Sequence, residues 1–199
     1  MSISSPDDLS ALGVRVRGGD EGAFRQLFDA LYGPLHRFAL GLVADEAVAD
    51  DLVQEAFVRL WDWRDRMAED TPLRAWLFRT VRNLAFNHRR DAATHDRLLS
   101  DAAASDSMIL PSAGVAPDAA ATGHELEARV SVLVQQLPPR QREALVLSRV
   151  HGLSHIEVAA AMQCAPRTVN NHLVAALGSL RRWLADAGTM VAAMLWWVS

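Results

Sequence analysis

The sequence predicts an all-α protein: two small helical domains joined by a flexible linker, the second containing a helix-turn-helix. Both predicted domains carry apolar residues three and four positions apart, which is the period of an amphipathic helix. No window combines apolar–polar alternation with β-branched residues, so we predict no strand. The stretch between the domains is rich in alanine, serine and aspartate and has no sustained apolar period. Such a composition is typical of a flexible linker.

Composition along the 199 residues predicts the domain boundaries. A chain of this length can bury a core in each of two small domains. The last residues, 188–199, form an almost wholly apolar tail, which is too short to span a membrane alone. It either packs against one of the domains as a last helix or strand, or docks on the first domain or on an inhibitory partner. The predicted divisions are an N-terminal segment over 1–19, a first domain over 20–90, a linker over 91–124, a second domain over 125–187 and the tail over 188–199.

Cysteine content and hydropathy exclude several classes of protein. The single cysteine, Cys164, excludes an intramolecular disulfide framework and leaves too little sulfur for a zinc finger, which fits a reducing, cytoplasmic setting. The first eleven residues carry two aspartates and no apolar run, so we expect neither a signal peptide nor an anchor there. No stretch reaches the roughly 20 apolar residues that cross a bilayer, so we expect no membrane span.

The formal net charge of −4 conceals alternating acidic and basic blocks. All twenty positive charges are arginines, because the chain contains no lysine. Residues 20–70 hold twelve acidic residues against five arginines, whereas residues 74–90 hold five arginines and no acid. Blocks of opposite charge can offer different faces to different partners.

The first strongly patterned helix runs from Asp50 to Trp61, with an apolar stripe at Val53, Ala56, Phe57, Leu60 and Trp61. Acidic residues in the first turns interact favourably with the positive end of the helix dipole, and this structural role is enough to explain Asp50 and Asp51. A metal or acid–base site is not supported, because no histidine or cysteine joins the acids at ligand spacing. We therefore predict no catalytic residue, metal or cofactor. The exposed set could instead pair with a basic or mixed protein surface: Asp51, Gln54, Glu55 and Arg59.

Pro72 opens a second helix, which we predict to run from Leu73 to Arg90. We expect one face to carry Leu73, Leu77, Val81, Leu84 and His88, and the other to carry arginines interleaved with Phe86. Cations for phosphates and a ring for an unstacked base suit single-stranded or melted DNA. A merely solvated face remains the alternative. The predicted exposed arc is Arg79, Arg82, Asn83, Phe86 and Arg90, with Trp76 at its margin.

The second domain contains the signals of a helix-turn-helix. Ser154 and Glu157 have the spacing of a capping box, in which each side chain accepts a hydrogen bond from the main-chain N–H of the other residue. We predict that this helix ends near Met162, that residues 163–165 form a turn, and that Pro166 occupies the first position of the next helix.

The helix after Pro166 has two distinct faces. We expect Val169, Leu173, Ala176, Leu177, Leu180 and Leu184 to form its buried stripe. Arg167 and Asn171 lie opposite that stripe, with Thr168 and Arg182 near the same side. Such side chains suit the major groove of duplex DNA, where they bond base edges and phosphates. An ordinary helical hairpin with a solvated polar face is the alternative.

Four motifs in this order resemble bacterial sigma-70 family factors of the extracytoplasmic-function (ECF) group. The resemblance covers both predicted domains and a linker of the expected character, and the long middle region of housekeeping sigma factors is absent. The motifs are Ala49–Trp61, Ala75–Arg79 with Asn83–Leu84, Leu137–Ala144, and Gly152–Ser154 before the helix-turn-helix.

The resemblance implies an initiation subunit, not an enzyme, that binds core RNA polymerase through its β′ clamp and β subunits and directs it to promoter DNA, duplex and melted. A possible further partner is an anti-sigma factor, since many members of the group have one. The linker is expected to thread through the polymerase, and the loop over 64–71 to help capture the melted minus-ten element, whose flipped bases enter a pocket of the first domain.

Roles for particular residues follow from the same resemblance. The acidic helix implies polymerase contacts at Asp51, Gln54, Glu55 and Arg59. The arginine-rich helix implies contacts to the minus-ten element at Trp76, Arg79, Arg82, Asn83, Phe86, Arg89 and Arg90. The recognition helix implies contacts to the minus-thirty-five element at Arg167, Thr168, Asn170, Asn171 and Arg182.

Three positions depart from the family's usual residues. Gln163 stands where the turn usually has glycine, and Ala165 stands where it usually has serine. The turn therefore lacks both its left-handed glycine and its usual cap. Asn87 stands where the family commonly has aspartate.

Two rival functions are weighed beside the sigma factor. A helix-turn-helix regulator with an unrelated N-terminal domain explains the second domain but leaves the acidic and arginine-rich helices unexplained. A helical metal hydrolase would require metal-ligand spacing among the acids, which the sequence does not have.

Overall fold

A computed structural model describes residues 6–69, 71–99 and 130–186, and those ranges are helical with connecting turns and no strand. The predicted all-α fold is therefore confirmed. Most of the predicted linker and the apolar tail lie outside the described residues. The elements are α1 (Pro6–Arg17), α2 (Glu21–Val43), α3 (Glu46–Trp63), a 3₁₀ turn (Arg64–Arg66), α4 (Leu73–Leu99), α5 (residues 130–136), α6 (Pro139–Leu145), a π turn (Val146–Val150), α7 (His155–Met162) and α8 (Pro166–Asp186).

Contacts divide the chain into two compact units, the first holding α1 to α4 and the second holding most of residues 130–186. The first unit begins before the predicted boundary at residue 20. Leu12 and Val16 of α1 are buried, and α1 packs against α2 and α4. Arg15 forms an ion pair with Asp20, with 2.7 Å between Nη2 and Oδ2.

Helices α2 and α3 each begin at an aspartate cap. The Asp20 carboxylate accepts a bond from the Ala23 N–H at 2.9 Å, and Asp45 accepts one from the Val48 N–H at 3.0 Å. The bond from Ala23, helped by the Arg15 side chain, lowers the pKa of Asp20. Both caps satisfy backbone donors that a helix start leaves without partners.

A row of aromatic residues along α2 holds α3 in place. Phe28 packs on Phe57 with ring centroids 4.8 Å apart, and Phe24 packs on Trp61 at 5.0 Å. The predicted α3 stripe is buried at Val53, Ala56, Phe57 and Leu60, and its fifth member, Trp61, is partly buried. Aromatic pairs of this kind add about 0.5–1.5 kcal/mol each beyond the burial of their area. The opposite face of α3 is thereby directed to solvent.

Helix α4 extends nine residues beyond the predicted end at Arg90, reaching Leu99. The polar composition of residues 91–99 predicts a linker, but their alanines, leucines and arginine are favourable helix formers. The buried face of α4 is also wider than the sequence predicts, because α4 packs on α1, α2 and α3. Phe78 and Ala85 are buried, whereas Leu84 is half-buried and His88 is exposed.

In the second unit, α6 packs against α8, and Arg142 secures the approach to α6. Its guanidinium donates to the Leu137 carbonyl at 3.0 Å and also to the Gln135 carbonyl. Burial lowers the pKa of this arginine. A buried cation bonded to the carbonyls that end α5 fixes how the chain turns from α5 into α6.

The predicted capping box is present at the start of α7. The Ser154 N–H donates to Glu157 Oε2 at 2.9 Å, and the Glu157 N–H donates to Ser154 Oγ at 3.3 Å. Before it, the π turn closes with the His151 N–H donating to the Val146 carbonyl at 3.1 Å. Gly152, at a φ of 64°, then redirects the chain toward α7.

The turn between α7 and α8 is formed without its most favourable residues. Gln163 adopts a φ of 55°, the left-handed conformation that glycine accepts without a steric cost. The Cys164 N–H donates to the Ala159 carbonyl at 3.0 Å, which is the bond of a Schellman helix end. The Thr168 N–H donates to the Ala165 main-chain carbonyl at 2.8 Å, since alanine has no side-chain acceptor.

We expect Gln163→Gly to stabilise the turn between α7 and α8. A residue other than glycine in the left-handed conformation costs about 1–2 kcal/mol, and glycine avoids that strain. Glycine loses more conformational freedom on folding, however, and this entropy cost cancels about half of the gain. The expected gain is about 0.5–1 kcal/mol, measured as slower native-state hydrogen exchange of the α7 and α8 amides.

Gln163→Ala is the matched control. It removes the same exposed side chain but keeps a Cβ at positive φ, so hydrogen exchange should change by less than about 0.5 kcal/mol. Equal protection in the glycine and alanine variants would show that the left-handed turn stores no strain.

Candidate functional site

The outward face of α3 forms an acidic ridge, made of Asp51, Gln54, Glu55, Val58, Arg59 and Asp62. All six residues are exposed, including the four that the sequence singled out. Val58, which is 54% exposed, and Asp62 are not among the residues predicted from the sequence. The helical period does indicate them, because they lie seven and eleven positions after Asp51 and therefore share its face.

One ion pair lies within the acidic ridge. Arg59 Nε and Glu55 Oε1 are 2.8 Å apart, and both side chains are about half exposed. An exposed helical pair of this spacing contributes only about 0.2–0.5 kcal/mol. A partner could therefore separate the two charges at little cost and use each of them.

Adjacent Asp50 and Asp51 have different roles. Asp50 accepts a hydrogen bond from the Tyr32 hydroxyl and lies 3.2 Å from His36 Nε2. The Asp50 bond raises the pKa of Tyr32. Asp50 therefore ties α3 to α2, whereas Asp51 is exposed on the acidic ridge.

Two arginine–tryptophan stacks follow the acidic ridge at the 3₁₀ turn. Arg64 lies over the Trp61 ring, 4.2 Å from its centroid, and Arg66 lies 5.4 Å from the centroid of Trp63. Trp63 is 55% exposed. Trp63 lies about 120° around α3 from Asp51, so the spacing of the acidic residues does not indicate it.

The basic face of α4 is formed by most of its predicted members but not by Arg82. Arg82 is only 6% exposed, and its guanidinium lies over the Phe86 ring, 4.6 Å from the centroid. The prediction of Arg82 on an exposed arc is wrong because the core side of α4 extends to this position. Arg90 is exposed, and five others are partly exposed: Trp76, Arg79, Asn83, Phe86 and Arg89.

The predicted faces of α8 are present. Val169, Leu173, Ala176 and Leu180 are buried, and Leu177 and Leu184 are partly buried. Thr168 is partly exposed. We call the exposed side the recognition face; it carries Arg167, Asn170, Asn171 and Arg182, together with Val174 and Gly178, which the sequence reasoning missed.

Two further properties concern ligands and membranes. Within the described ranges, no three histidine, cysteine or acidic side chains come together as a metal site would require. Among the described helices, none combines the length and apolar character needed to cross a bilayer.

These features define a helix-turn-helix protein with an additional helical unit that exposes an acidic ridge and a basic helix. Residues 27–94 match the family Sigma-70 region 2, and residues 128–180 match Sigma-70, region 4. The chain belongs to the sigma-70 family of RNA polymerase sigma factors, in its ECF group.

The chain is similar to named sigma factors over most of its length. It is 31% identical to the RNA polymerase sigma-H factor of Pseudomonas aeruginosa, over 80% of this chain and 84% of that protein. It is 30% identical to the ECF RNA polymerase sigma factor SigL of Mycobacterium tuberculosis, over 88% and 98%. The sigma factor RpoE of Bartonella quintana, solved with the anti-sigma factor NepR, matches with a TM-score of 0.60 and 25% identity, over 81% of this chain and 96% of that chain.

The protein is therefore a promoter-recognising sigma factor, whose partners are core RNA polymerase and promoter DNA. A helix-turn-helix regulator with an unrelated first domain is not favoured, because the family match covers the first unit as well as the second.

Asp50 and Asp51 provide a matched pair for testing which acid supports the fold. We expect Asp50→Ala to lower the free energy of unfolding by about 1–2 kcal/mol, because it leaves Tyr32 and His36 without their shared acceptor. Asp51→Ala should change it by less than about 0.5 kcal/mol, as surface substitutions usually do. Urea unfolding of the two variants measures the difference, and equal stability would contradict the assignment of Asp50 to the fold.

Proposed function

We propose that the two units divide promoter recognition between three surfaces. The acidic ridge binds core polymerase, the basic face of α4 with the turn before it holds the melted minus-ten element, and the recognition face binds the minus-thirty-five element as duplex. The observation that carries this proposal is the exposure, on separate units, of an acidic ridge and of a polar helix face in a helix-turn-helix.

The acidic ridge suits a basic or mixed helical surface of the polymerase clamp. Asp51, Glu55 and Asp62 supply carboxylates for basic side chains, and Gln54 supplies an amide. Val58 lies among them and offers apolar area at the centre, where interfaces exclude water. The ends of the ridge are charged, which favours fast and oriented association.

The basic face of α4 suits unpaired DNA. Arg79, Arg89 and Arg90 supply cations for phosphates, and Trp76 and Phe86 offer rings for unstacked bases. Arg82 has a different role in this proposal, because its guanidinium lies on Phe86 and is buried. It positions the Phe86 ring and does not contact phosphates itself.

The N-terminal turns of α8 suit the major groove. Arg167, Asn170 and Asn171 project from the end of the helix that enters the groove first in a helix-turn-helix. Arginine bonds guanine edges and asparagine bonds adenine edges, each in a bidentate manner. Thr168 and Arg182 lie at the sides of this face and suit phosphate contacts.

The proposal also covers organisation and regulation. The units act as separate domains joined by the linker, which threads through the polymerase, and the chain works in the cytoplasm. It performs no catalysis of its own, since the polymerase forms the phosphodiester bonds. The Bartonella quintana relative was solved with an anti-sigma factor, and we propose that a protein of that kind also binds this chain.

The double variant Gln54→Ala, Glu55→Ala tests the acidic ridge. We expect it to weaken binding to core polymerase by about tenfold or more, which corresponds to about 1.4 kcal/mol. Alanine favours helix, so α3 should persist. In the absence of core polymerase, the affinity of the variant for duplex promoter DNA should equal that of the unaltered chain.

A matched control removes the same chemistry from α2. Gln26 and Asp29 are exposed there, three positions apart, and Gln26→Ala with Asp29→Ala should leave polymerase binding intact. Equal losses from the two double variants would refute the assignment of the acidic ridge.

The variants Arg167→Ala and Asn171→Ala test the recognition face. Each should weaken duplex promoter binding by about 5- to 150-fold, the effect of losing one bidentate base contact of about 1–3 kcal/mol. Polymerase association should be unaffected. Gln136→Ala, which removes an exposed amide from α5, is the control, and the recognition face is excluded if it weakens DNA binding as much as Asn171→Ala does.

A further inference from the structure

One apolar side chain interrupts the polar recognition face of α8. Val174 is 63% exposed. At about 100° per residue, it lies about 20° from Arg167 and about 60° from Asn171 around the helix axis. Val174 is therefore near the middle of the recognition face.

The orientation of a helical side chain places the Val174 methyl groups toward the groove-entering end of α8. Side chains on a helix lean toward its N-terminus and cover the preceding turn. For Val174 that turn carries Asn170 and Asn171. The methyl groups consequently lie beside the two amides proposed to contact bases.

The following turn leaves Val174 uncovered. Gly178 lies one turn later, and a Cβ at that position would meet no heavy atom within 4 Å. Glycine in a helix interior costs about 1 kcal/mol relative to alanine. Nothing within the described second unit fills this space, which leaves the valine accessible to a large partner from that side.

We infer that Val174 reads a thymine in the duplex element bound by α8, through contact between its methyl groups and the thymine C5-methyl group. The major groove offers hydrogen-bonding groups on every base, and the thymine C5-methyl is the one methyl group that a standard base presents there. An exposed valine between polar side chains suits that methyl group better than any hydrogen-bonding group on a base edge. This inference rests on the proposed role of the recognition face.

The test replaces each thymine of the upstream promoter element singly with deoxyuridine, which removes only the C5-methyl group. The DNA is a duplex promoter fragment that the holoenzyme of core polymerase and the full chain selects from genomic DNA. Affinity is measured for the unaltered chain, Val174→Ala and Val132→Ala. Val132 is an exposed valine of α5 and serves as the control.

We expect deoxyuridine at one position to weaken binding by the unaltered chain and by Val132→Ala about three- to fourfold, the effect of one lost methyl contact. Val174→Ala should bind thymine DNA more weakly by a similar factor and lose nothing further on deoxyuridine DNA. The inference is overturned if Val174→Ala keeps the full thymine preference at every position, or if no position shows a preference.

Arg167→Ala in the same assay separates this inference from the proposed function. If Arg167→Ala weakens binding while Val174→Ala retains the thymine preference, the recognition face stands and only the valine assignment falls. If neither variant affects duplex binding, both the recognition face and the valine assignment fall.

Discussion

The packing of α3 on the aromatic row of α2 determines which residues of α3 are exposed and can contact a partner. Phe24 and Phe28 contact Trp61 and Phe57, and Tyr32 bonds Asp50, so α3 is held along much of its length. When the apolar side of an amphipathic helix is packed in the core, the residues on its opposite side must face solvent. The exposure of the acidic ridge is therefore a consequence of the core, and the proposed binding of polymerase by that ridge depends on the packing of α2 on α3.

Packing also determines the exposed face of the helix-turn-helix, and there the turn between α7 and α8 carries conformational strain. The capping box orients α7, and the left-handed Gln163 then redirects the chain so that Pro166 begins α8. The turn accepts strain at Gln163 and forgoes a side-chain cap at Ala165. The buried stripe from Val169 to Leu180 compensates by fixing α8 against the core, and the recognition face remains exposed.

The sequence predicted periodic features well because they depend on neighbours along the chain. The α3 stripe, the Ser154–Glu157 capping box and the buried side of α8 follow from spacing alone. Features that depend on tertiary packing were missed. Arg82 is buried because α4 contacts three helices, which no periodicity indicates. Val174 was overlooked because an apolar residue on a polar face has meaning only once its exposure is known.

As a sigma factor, this chain gives core polymerase its choice of promoter. Run-off transcription of a genomic fragment library by purified core polymerase, with and without the chain, measures that choice. We expect the added chain to produce discrete new transcripts whose start sites share a minus-ten and a minus-thirty-five element at fixed spacing. The same set of transcripts with and without the chain would contradict it.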